Sequence, residues 1–120
     1  MAKQMMAGFN RATQMWEYQP VAGAPPETEE GFQAAVMELA TLYGWTVYHT
    51  WDSRRSGKGF PDLVLGRRGQ VIFAELKTAK GTLTSEQLAW IEILTTVPGI
   101  EVHVWRPAQF GEIERALRRP

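Results

Sequence analysis

Residues 61–77 read PDLVLGRRGQVIFAELK, and this stretch predicts a β-hairpin with charged groups gathered at one end. It divides into an apolar strand, a glycine-flanked turn and a returning apolar strand, at residues 63–65, 66–69 and 71–74. Folding back at the glycines places Asp62 across from Glu75. Glu75 and Lys77 are two residues apart, so they point to the same face of the second strand.

Two carboxylates and a lysine in this position suit the metal-assisted cleavage of a phosphodiester bond. Mg²⁺ prefers hard oxygen ligands and takes only one or two carboxylates directly, so we predict Asp62 and Glu75 as ligands, with the backbone carbonyl of Leu76 as a third candidate. The metal would polarise the scissile phosphate and lower the pKa of a bound water. Lys77 would orient or help deprotonate that water and counter charge in the transition state. The alternative is an exposed ion pair between Glu75 and Lys77, which the carboxylate opposite them disfavours.

Composition indicates a soluble globular protein. The 120 residues are enough for one hydrophobic core, and 44% of them are hydrophobic. The absence of cysteine excludes disulfides and thiolate metal sites. The sequence has no apolar run of membrane-spanning length and its first residues lack the apolar segment of a signal peptide, so we expect a cytoplasmic location.

The net charge is zero, but the charges are unevenly distributed. Between His49 and Lys80 there are seven basic residues and three acidic ones, a local excess of four positive charges. Within this segment we predict contacts with DNA phosphates from Arg54, Arg55, Lys58 and Lys80. The first three lie in a glycine-containing loop before Asp62, and a solvated loop without such contacts is an equally open interpretation.

Helical and strand patterns alternate after residue 27. We predict an α/β fold, a mixed central β-sheet flanked by helices in the order α-β-β-β-α-β-α. The first helix has Thr28 as its N-cap and Gly44 at its end, with a buried stripe at Phe32, Val36, Leu39, Ala40 and Tyr43. Residues 84–87 form a capping box that opens the second helix. A parallel crossover leads from the hairpin to a strand at residues 100–105.

Residues 1–27 show weak periodicity, and we predict a poorly ordered tail or a dimerisation arm before a folded domain at residues 28–120. Within the domain, Trp90 and Trp105 stand at positions that fit the core. The second helix is expected to bury its apolar side, which carries Leu88, Ile91 and Leu94.

Two further polar residues are candidates for the site. Glu29 would reach the metal from the first helix, directly or through water, although it competes with Glu30 and either could simply complement the helix dipole. Gln87 would hydrogen-bond a water or phosphate near the metal while also capping its helix. His49 ends a strand and is a candidate for a supporting or general-base role, or for a purely structural one.

The ordered set of motifs resembles a known nuclease superfamily. Glu29, Gly59-Phe60-Pro61-Asp62, Glu75-Leu76-Lys77 and Gln87 are similar to the PD-(D/E)XK pattern. A narrower resemblance, to the virus-type replication-repair nuclease (VRR-NUC) domain, covers residues 28–118. It adds Gly44-Trp45, His49, the Gly81, Thr84, Gln87 and Trp90 series, and Val104-Trp105-Arg106-Pro107.

This resemblance implies a restriction-endonuclease-like core that hydrolyses DNA phosphodiester bonds with Mg²⁺ or Mn²⁺. It further implies branched DNA as the substrate, such as four-way (Holliday) junctions or flaps, and a homodimer like the stand-alone junction resolvases. Symmetric cutting of two strands by a chain of this size also requires two copies. The alternatives are a flap, restriction-type or single-strand nuclease of the same fold, or a catalytically silent DNA-binding module. No nucleotide-binding P-loop is present in the sequence.

Overall fold

The computed structural model describes residues 28–50 and 57–120, together with the backbone of two short strands at residues 5–10 and 15–20. A 3₁₀ turn at Pro107–Gln109 leads into the last helix. In chain order the elements are β1 (Met5–Asn10), β2 (Met15–Pro20), α1 (Glu29–Leu42), β3 (Thr46–His49), β4 (Leu63–Arg67), β5 (Gln70–Leu76), α2 (Ser85–Thr95), β6 (Glu101–Trp105) and α3 (Phe110–Arg118).

Four strands form a mixed sheet in the order β3-β4-β5-β6. The pairs β3-β4 and β4-β5 are antiparallel, whereas β5 and β6 are parallel. Because parallel neighbours cannot be joined by a tight turn, the chain crosses between them through α2. The predicted mixed sheet with flanking helices, its hairpin and its parallel crossover are confirmed.

The hairpin between β4 and β5 closes with a two-residue turn rather than the predicted four-residue one. Arg67 pairs with Gln70, so only Arg68 and Gly69 lie in the turn. Both have positive φ, 29° and 78°, as two-residue hairpin turns require. The strands therefore extend one or two residues further than their apolar runs, because ladder hydrogen bonds continue through Gly66 and Arg67.

The ends of α1 follow the predicted signals. Thr28 Oγ1 accepts a hydrogen bond from the Gly31 N–H at 3.0 Å, which is an N-cap. At the other end Gly44 has a φ of 85° and follows the C-cap residue Tyr43. Glycine adopts this left-handed conformation without a steric penalty, so the chain can turn sharply into β3.

The hydrophobic core lies between α1, α3 and one face of the sheet. Its buried residues are Phe32, Val36, Leu39, Ala40, Trp45, Leu63, Leu65, Ile72, Ala74, Leu76, Trp105, Ile113 and Leu117. Burial of each large aliphatic or aromatic side chain contributes about 1.5–3 kcal/mol. Leu63 and Leu76 adjoin the predicted site residues, so the core holds the backbone of the site in place.

The opposite face of the sheet is covered more thinly than the sequence predicts. No residue of α2 is buried, and Leu88 is exposed. Trp105 is a core residue as predicted, but Trp90 is only half-buried and packs edge-to-face on Phe60, with ring centroids 5.0 Å apart. Among the described elements α2 is the one helix on this face, and it contacts few partners, so its apolar side chains remain partly accessible.

Two strands that the sequence analysis did not predict lie in the N-terminal segment. β1 and β2 pair in antiparallel register from Met5 opposite Pro20 to Asn10 opposite Met15. Whether the segment acts as a tail or as a dimerisation arm stays a prediction. Among the helices that the structure describes, none is long and apolar enough to span a bilayer.

Candidate active site

The predicted charged groups meet at one end of the sheet. Leu63 pairs with Ala74, so Asp62 and Glu75, the next residues outward, lie opposite each other where β4 begins and β5 ends. Lys77 follows immediately after β5. The structure therefore brings together the three residues that the hairpin pattern predicts.

Asp62 is held by backbone groups on both sides. Its Oδ2 accepts a hydrogen bond from the Leu76 N–H at 2.9 Å, which fixes the carboxylate against β5. Its own carbonyl accepts from the Thr50 N–H at 2.8 Å, and Thr50 Oγ1 donates to the Pro61 carbonyl at 2.7 Å. Thr50, which the sequence analysis did not single out, thus fixes the Pro61-Asp62 segment to the end of β3.

Glu75 is the most unusual group of the site, because it is a carboxylate that is only 2% exposed. Its Oε2 accepts a hydrogen bond from Gln87 Nε2 at 2.8 Å. Its Oε1 is buried and has no hydrogen-bond partner among the residues that the structure describes. A buried carboxylate oxygen without a partner costs free energy, so this position calls for a ligand that the described residues do not provide.

Lys77 is the cation of the site. Its Nζ lies 3.8 Å from Glu75 Oε2, and its side chain is 14% exposed. The Lys77 N–H donates to the Trp105 carbonyl at 2.9 Å, so the pairing of β5 with β6 continues through this residue. Strand pairing rather than a flexible loop therefore positions the lysine.

Gln87 joins the start of α2 to the site. Its Oε1 accepts from the Thr84 N–H at 2.9 Å and its own N–H donates to Thr84 Oγ1 at 3.1 Å, which completes the predicted capping box. The remaining amide nitrogen is the donor to Glu75. Gln87 therefore caps its helix and orients a site carboxylate at once, and the contact with a water or phosphate predicted for it stays a prediction.

Burial raises the pKa of both carboxyl groups of the pair. Burial, followed by the Asp62 charge, raises the pKa of Glu75 to about 8, and the Lys77 ammonium only partly offsets this. Burial also raises the pKa of Asp62, against the lowering effect of the Leu76 N–H bond. Metal ligands must be deprotonated, so a cation bound at this pair would displace the proton that Glu75 holds.

A cavity of about 360 Å³ opens in front of Asp62 and Gln87. Glu29 and Glu30 from the first turn of α1 line it, as does His49 from the end of β3. Both glutamates are exposed, and among the described residues no three His, Cys, Asp or Glu side chains lie close enough together to hold a metal ion. Glu29 therefore shares the cavity but not the carboxylate pair, and a link through water stays a prediction.

The carboxylate pair fits a hard divalent cation. Mg²⁺ takes one or two carboxylates and keeps several waters, so a third protein ligand is not required. The buried Oε1 of Glu75 supplies an oxygen without a partner among the described residues, and Asp62 lies across from it. The Leu76 carbonyl stays a predicted ligand, although the Leu76 peptide is held in the site through its N–H.

The predicted DNA-binding residues are only partly visible. Arg54 and Arg55 lie outside the described residues. Lys58 is exposed near Glu86 in the first turn of α2. The pKa of that glutamate is lowered chiefly by its backbone hydrogen bond and by Ser85, and to a smaller extent by the Lys58 charge. Lys80 is exposed in the loop between Lys77 and α2. Lys58 and Lys80 are thus accessible to solvent, and their contacts with DNA stay a prediction.

Gly59 belongs to the Gly-Phe-Pro-Asp motif, but its structural role could not be predicted from the sequence. Its φ is 86°, and a Cβ placed there would lie 2.4 Å from the Glu86 carbonyl carbon and 2.7 Å from the Gln87 nitrogen. Only glycine permits this contact, which seats the segment before Asp62 directly on the first turn of α2. Its position before Phe-Pro was the only signal in the sequence.

Comparison with protein families agrees with this geometry. A family model, the VRR-NUC domain, matches residues 21–109, most of the chain. The chain belongs to the VRR-NUC domain family. Membership implies a nuclease of the PD-(D/E)XK type, with DNA as its substrate. No curated protein and no solved structure shows a significant match to this VRR-NUC chain.

Proposed function

We propose that this VRR-NUC domain is a metal-dependent endonuclease that hydrolyses phosphodiester bonds in branched DNA, with four-way junctions as the leading substrate. The observation that carries the proposal is the buried Glu75 carboxylate, whose Oε1 has no partner among the described residues and which lies opposite Asp62. Such a pair is costly for the fold unless it serves to bind a cation.

Asp62 and Glu75 would hold Mg²⁺ or Mn²⁺. When bound, the cation would neutralise charge on the scissile phosphate and lower the pKa of a coordinated water. Asp62 keeps one oxygen on the Leu76 N–H, which leaves its other oxygen for this purpose. Gln87 holds Glu75 Oε2 and so restricts rotation of that carboxylate.

Lys77 has the chemistry to act on the water and on developing charge. Its ammonium is near Glu75 and is joined to β6 through its backbone, so it stays at the edge of the site. From there it would orient the attacking water and stabilise negative charge on the phosphate oxygens in the transition state. The cavity in front of Asp62 would admit the strand that carries the scissile phosphate.

The preference for branched DNA and the homodimer are supported by the resemblance of the motifs to stand-alone junction resolvases. Each chain contributes one carboxylate pair, and cutting two opposed strands needs two such sites in a symmetric assembly. Sedimentation of the free protein tests for the dimer. We expect a mass near twice the 13.6 kDa of one chain. Junctions cut by mixed dimers with one Asp62→Asn subunit should be nicked on one strand only.

The experiment that tests the proposed function is cleavage of five labelled DNAs: a four-way junction, a flap, a nicked duplex, a single strand and a plain duplex. Each is incubated with Mg²⁺, Mn²⁺ or EDTA, with Asp62→Asn as the inactive control of nearly equal shape. We expect metal-dependent cutting of the junction that the variant lacks.

The other outcomes have distinct meanings. Preferential flap cutting would move the function to repair-type processing, and equal cutting of plain duplex would favour a restriction-type nuclease. Cutting confined to the single strand would identify a single-strand nuclease. DNA binding without any cleavage would contradict the proposal and favour a catalytically silent module.

A further inference from the structure

An arginine-centred cluster adjoins the site on the side away from Asp62. Arg106 follows β6, and its Nη1 donates to two backbone carbonyls of the loop after β5, that of Thr78 at 2.8 Å and that of Gly81 at 2.7 Å. The loop also closes on itself, since the Gly81 N–H donates to the Thr78 carbonyl at 3.3 Å. Arg106 is fixed in turn, because its own N–H donates to Gln109 Oε1 at 2.8 Å.

This loop connects two groups of the site. It begins directly after Lys77 and ends at Thr84, the N-cap of α2. We propose that Arg106 is a positioning residue of the nuclease reaction, which holds this loop so that Lys77 and Gln87 converge on Glu75. The proposal rests on the function proposed above.

Arg106 restrains Lys77 through Gly81. A Cβ built on Gly81 would lie 3.4 Å from Lys77 Cδ and 3.2 Å from Thr78 Oγ1, so the loop backbone lies against the stem of the lysine. Side-chain rotation of Lys77 away from Glu75 is thereby restricted on this side. The two bonds from Arg106 keep that backbone in place.

Arg106 restrains Gln87 in a second way, through the cap of α2. The loop delivers Thr84 to the start of α2, where the capping box orients Gln87 and leaves its amide nitrogen directed at Glu75. A displaced loop would carry the cap with it. Lys77 and Gln87 both contact the Glu75 carboxylate. Misplacing a reacting group by about 1 Å can lower the rate by about 100-fold.

The chain offers a matched control at the other end of the sheet. Arg67 is also half-buried and also donates to backbone carbonyls, those of Tyr43 at 2.9 Å and Leu117 at 3.2 Å. It ends β4, whereas Asp62 lies just before that strand begins, so it has no contact with the site. Arg67→Met and Arg106→Met remove the same donors and keep a similar apolar stem.

The test compares wild type, Arg106→Met, Arg106→Lys and Arg67→Met in three measurements: kcat and KM on the DNA that wild type cleaves best, the unfolding temperature, and amide hydrogen exchange of residues 78–87. We expect Arg106→Met to lower kcat by between about 10- and 100-fold with little change in KM. Exchange at residues 78–87 should accelerate in this variant. Arg106→Lys, which keeps the charge and a donor, should recover part of kcat. Arg67→Met should lower the unfolding temperature while kcat and that exchange stay near wild type.

Three results would overturn the inference while the nuclease function stands. One is unchanged kcat in Arg106→Met, and another is unchanged exchange of the loop amides. The third is an equal loss of kcat in Arg67→Met, which would show that lowered stability alone reduces turnover. A rise in KM with unchanged kcat would assign Arg106 to DNA contact instead. Absence of cleavage by wild type would overturn the proposed function itself.

Discussion

The two ends of the central sheet are built from the same strands but satisfy their charged groups in opposite ways. At the hairpin end, the Arg67 guanidinium lies 4.4 Å above the Trp45 ring and donates to carbonyls of Tyr43, Leu117 and Arg119. Gln70 Nε2 donates to the Pro120 carbonyl at 2.9 Å. At this end Nη1 and Nη2 of Arg67 and the amide nitrogen of Gln70 all have acceptors, and these hydrogen bonds hold the last residues of the chain against the sheet.

At the other end, two carboxyl groups face each other and one buried oxygen has no partner among the described residues. The core residues beside this end, Leu63 and Leu76, are fully buried, so the difference does not arise from poor folding. It shows where the fold tolerates unfavourable electrostatics, and such places are characteristic of functional sites. Substitutions at the two ends should accordingly separate activity from stability.

The largest expected difference between loss of activity and loss of stability comes from Lys77→Met. Removing the ammonium leaves the core contacts intact, and we expect kcat to fall by about 10²–10³-fold because charge in the transition state loses its counterion. The unfolding temperature should change by only a few degrees, since this ion pair is 3.8 Å long. Single-turnover cleavage and thermal unfolding measure the two effects. A variant that cleaves at the wild-type rate would remove Lys77 from the proposed mechanism.

Two glycines with positive φ give the next contrast. A Cβ at Gly59 meets the backbone of Glu86, whereas one at Gly69 in the hairpin turn meets nothing within 4 Å. We expect Gly59→Ala to lower the free energy of unfolding by about 3 kcal/mol, from clash plus strain. Gly69→Ala should cost about 1 kcal/mol, from strain alone.

Activity should follow the same division, because Gly59 seats the segment that carries Asp62 and Gly69 does not. Urea unfolding gives the stabilities, and initial rates per folded molecule give the activities. Equal losses of stability in the two variants would mean that the segment relaxes away from α2 without cost, and would weaken the role assigned to Gly59.

Gln87→Glu separates the two roles of Gln87. A glutamate at this position still accepts from the Thr84 N–H, so the capping box is kept. It cannot donate to Glu75 and adds a negative charge beside it. We expect activity to fall by between about 10- and 100-fold, as for other residues that orient a ligand, with the α2 cap retained. Initial cleavage rates measure the activity and circular dichroism measures the helix. An unchanged cleavage rate would contradict the role of Gln87 in orienting Glu75.

The parts of the site that could be predicted from sequence depend on local geometry. Strand periodicity and a glycine turn suffice to place Asp62 across from Glu75, and residue types suffice to predict the capping box at Thr84 and Gln87. The helix signals at Thr28 and Gly44 are local as well. In each case the deciding contact lies within one element or one hairpin.

The parts that could not be predicted depend on contacts between distant segments. Arg106 reaches carbonyls 25 and 28 residues earlier in the chain, and Gly59 packs on a helix that begins 26 residues later. Trp90 is large and apolar like a core residue, yet it is only half-buried. Its helix is the only one among the described elements on its face of the sheet, so few residues are there to cover it. Periodicity identifies an apolar side but not how much surface the rest of the chain provides to cover it.

The most direct test of the electrostatic contrast between the two ends is the pH dependence of stability in EDTA. Glu75 has a pKa of about 8 in the folded protein against an ordinary value of 4.5. The folded state therefore keeps a proton that the unfolded state loses above about pH 4.5. The free energy of unfolding should fall as pH rises from about 4.5 to 8, by at most about 1.4 kcal/mol per pH unit for one proton.

Glu75→Gln should remove most of this slope, whereas Arg67→Met should be less stable at every pH but keep it. Mg²⁺ competes with the proton for the same carboxylates, so added metal should raise the unfolding temperature more at pH 8 than at pH 6. Thermal unfolding across this pH range, with and without metal, measures both effects. A slope that persists in Glu75→Gln would place the titrating group elsewhere and leave the two ends of the sheet electrostatically alike.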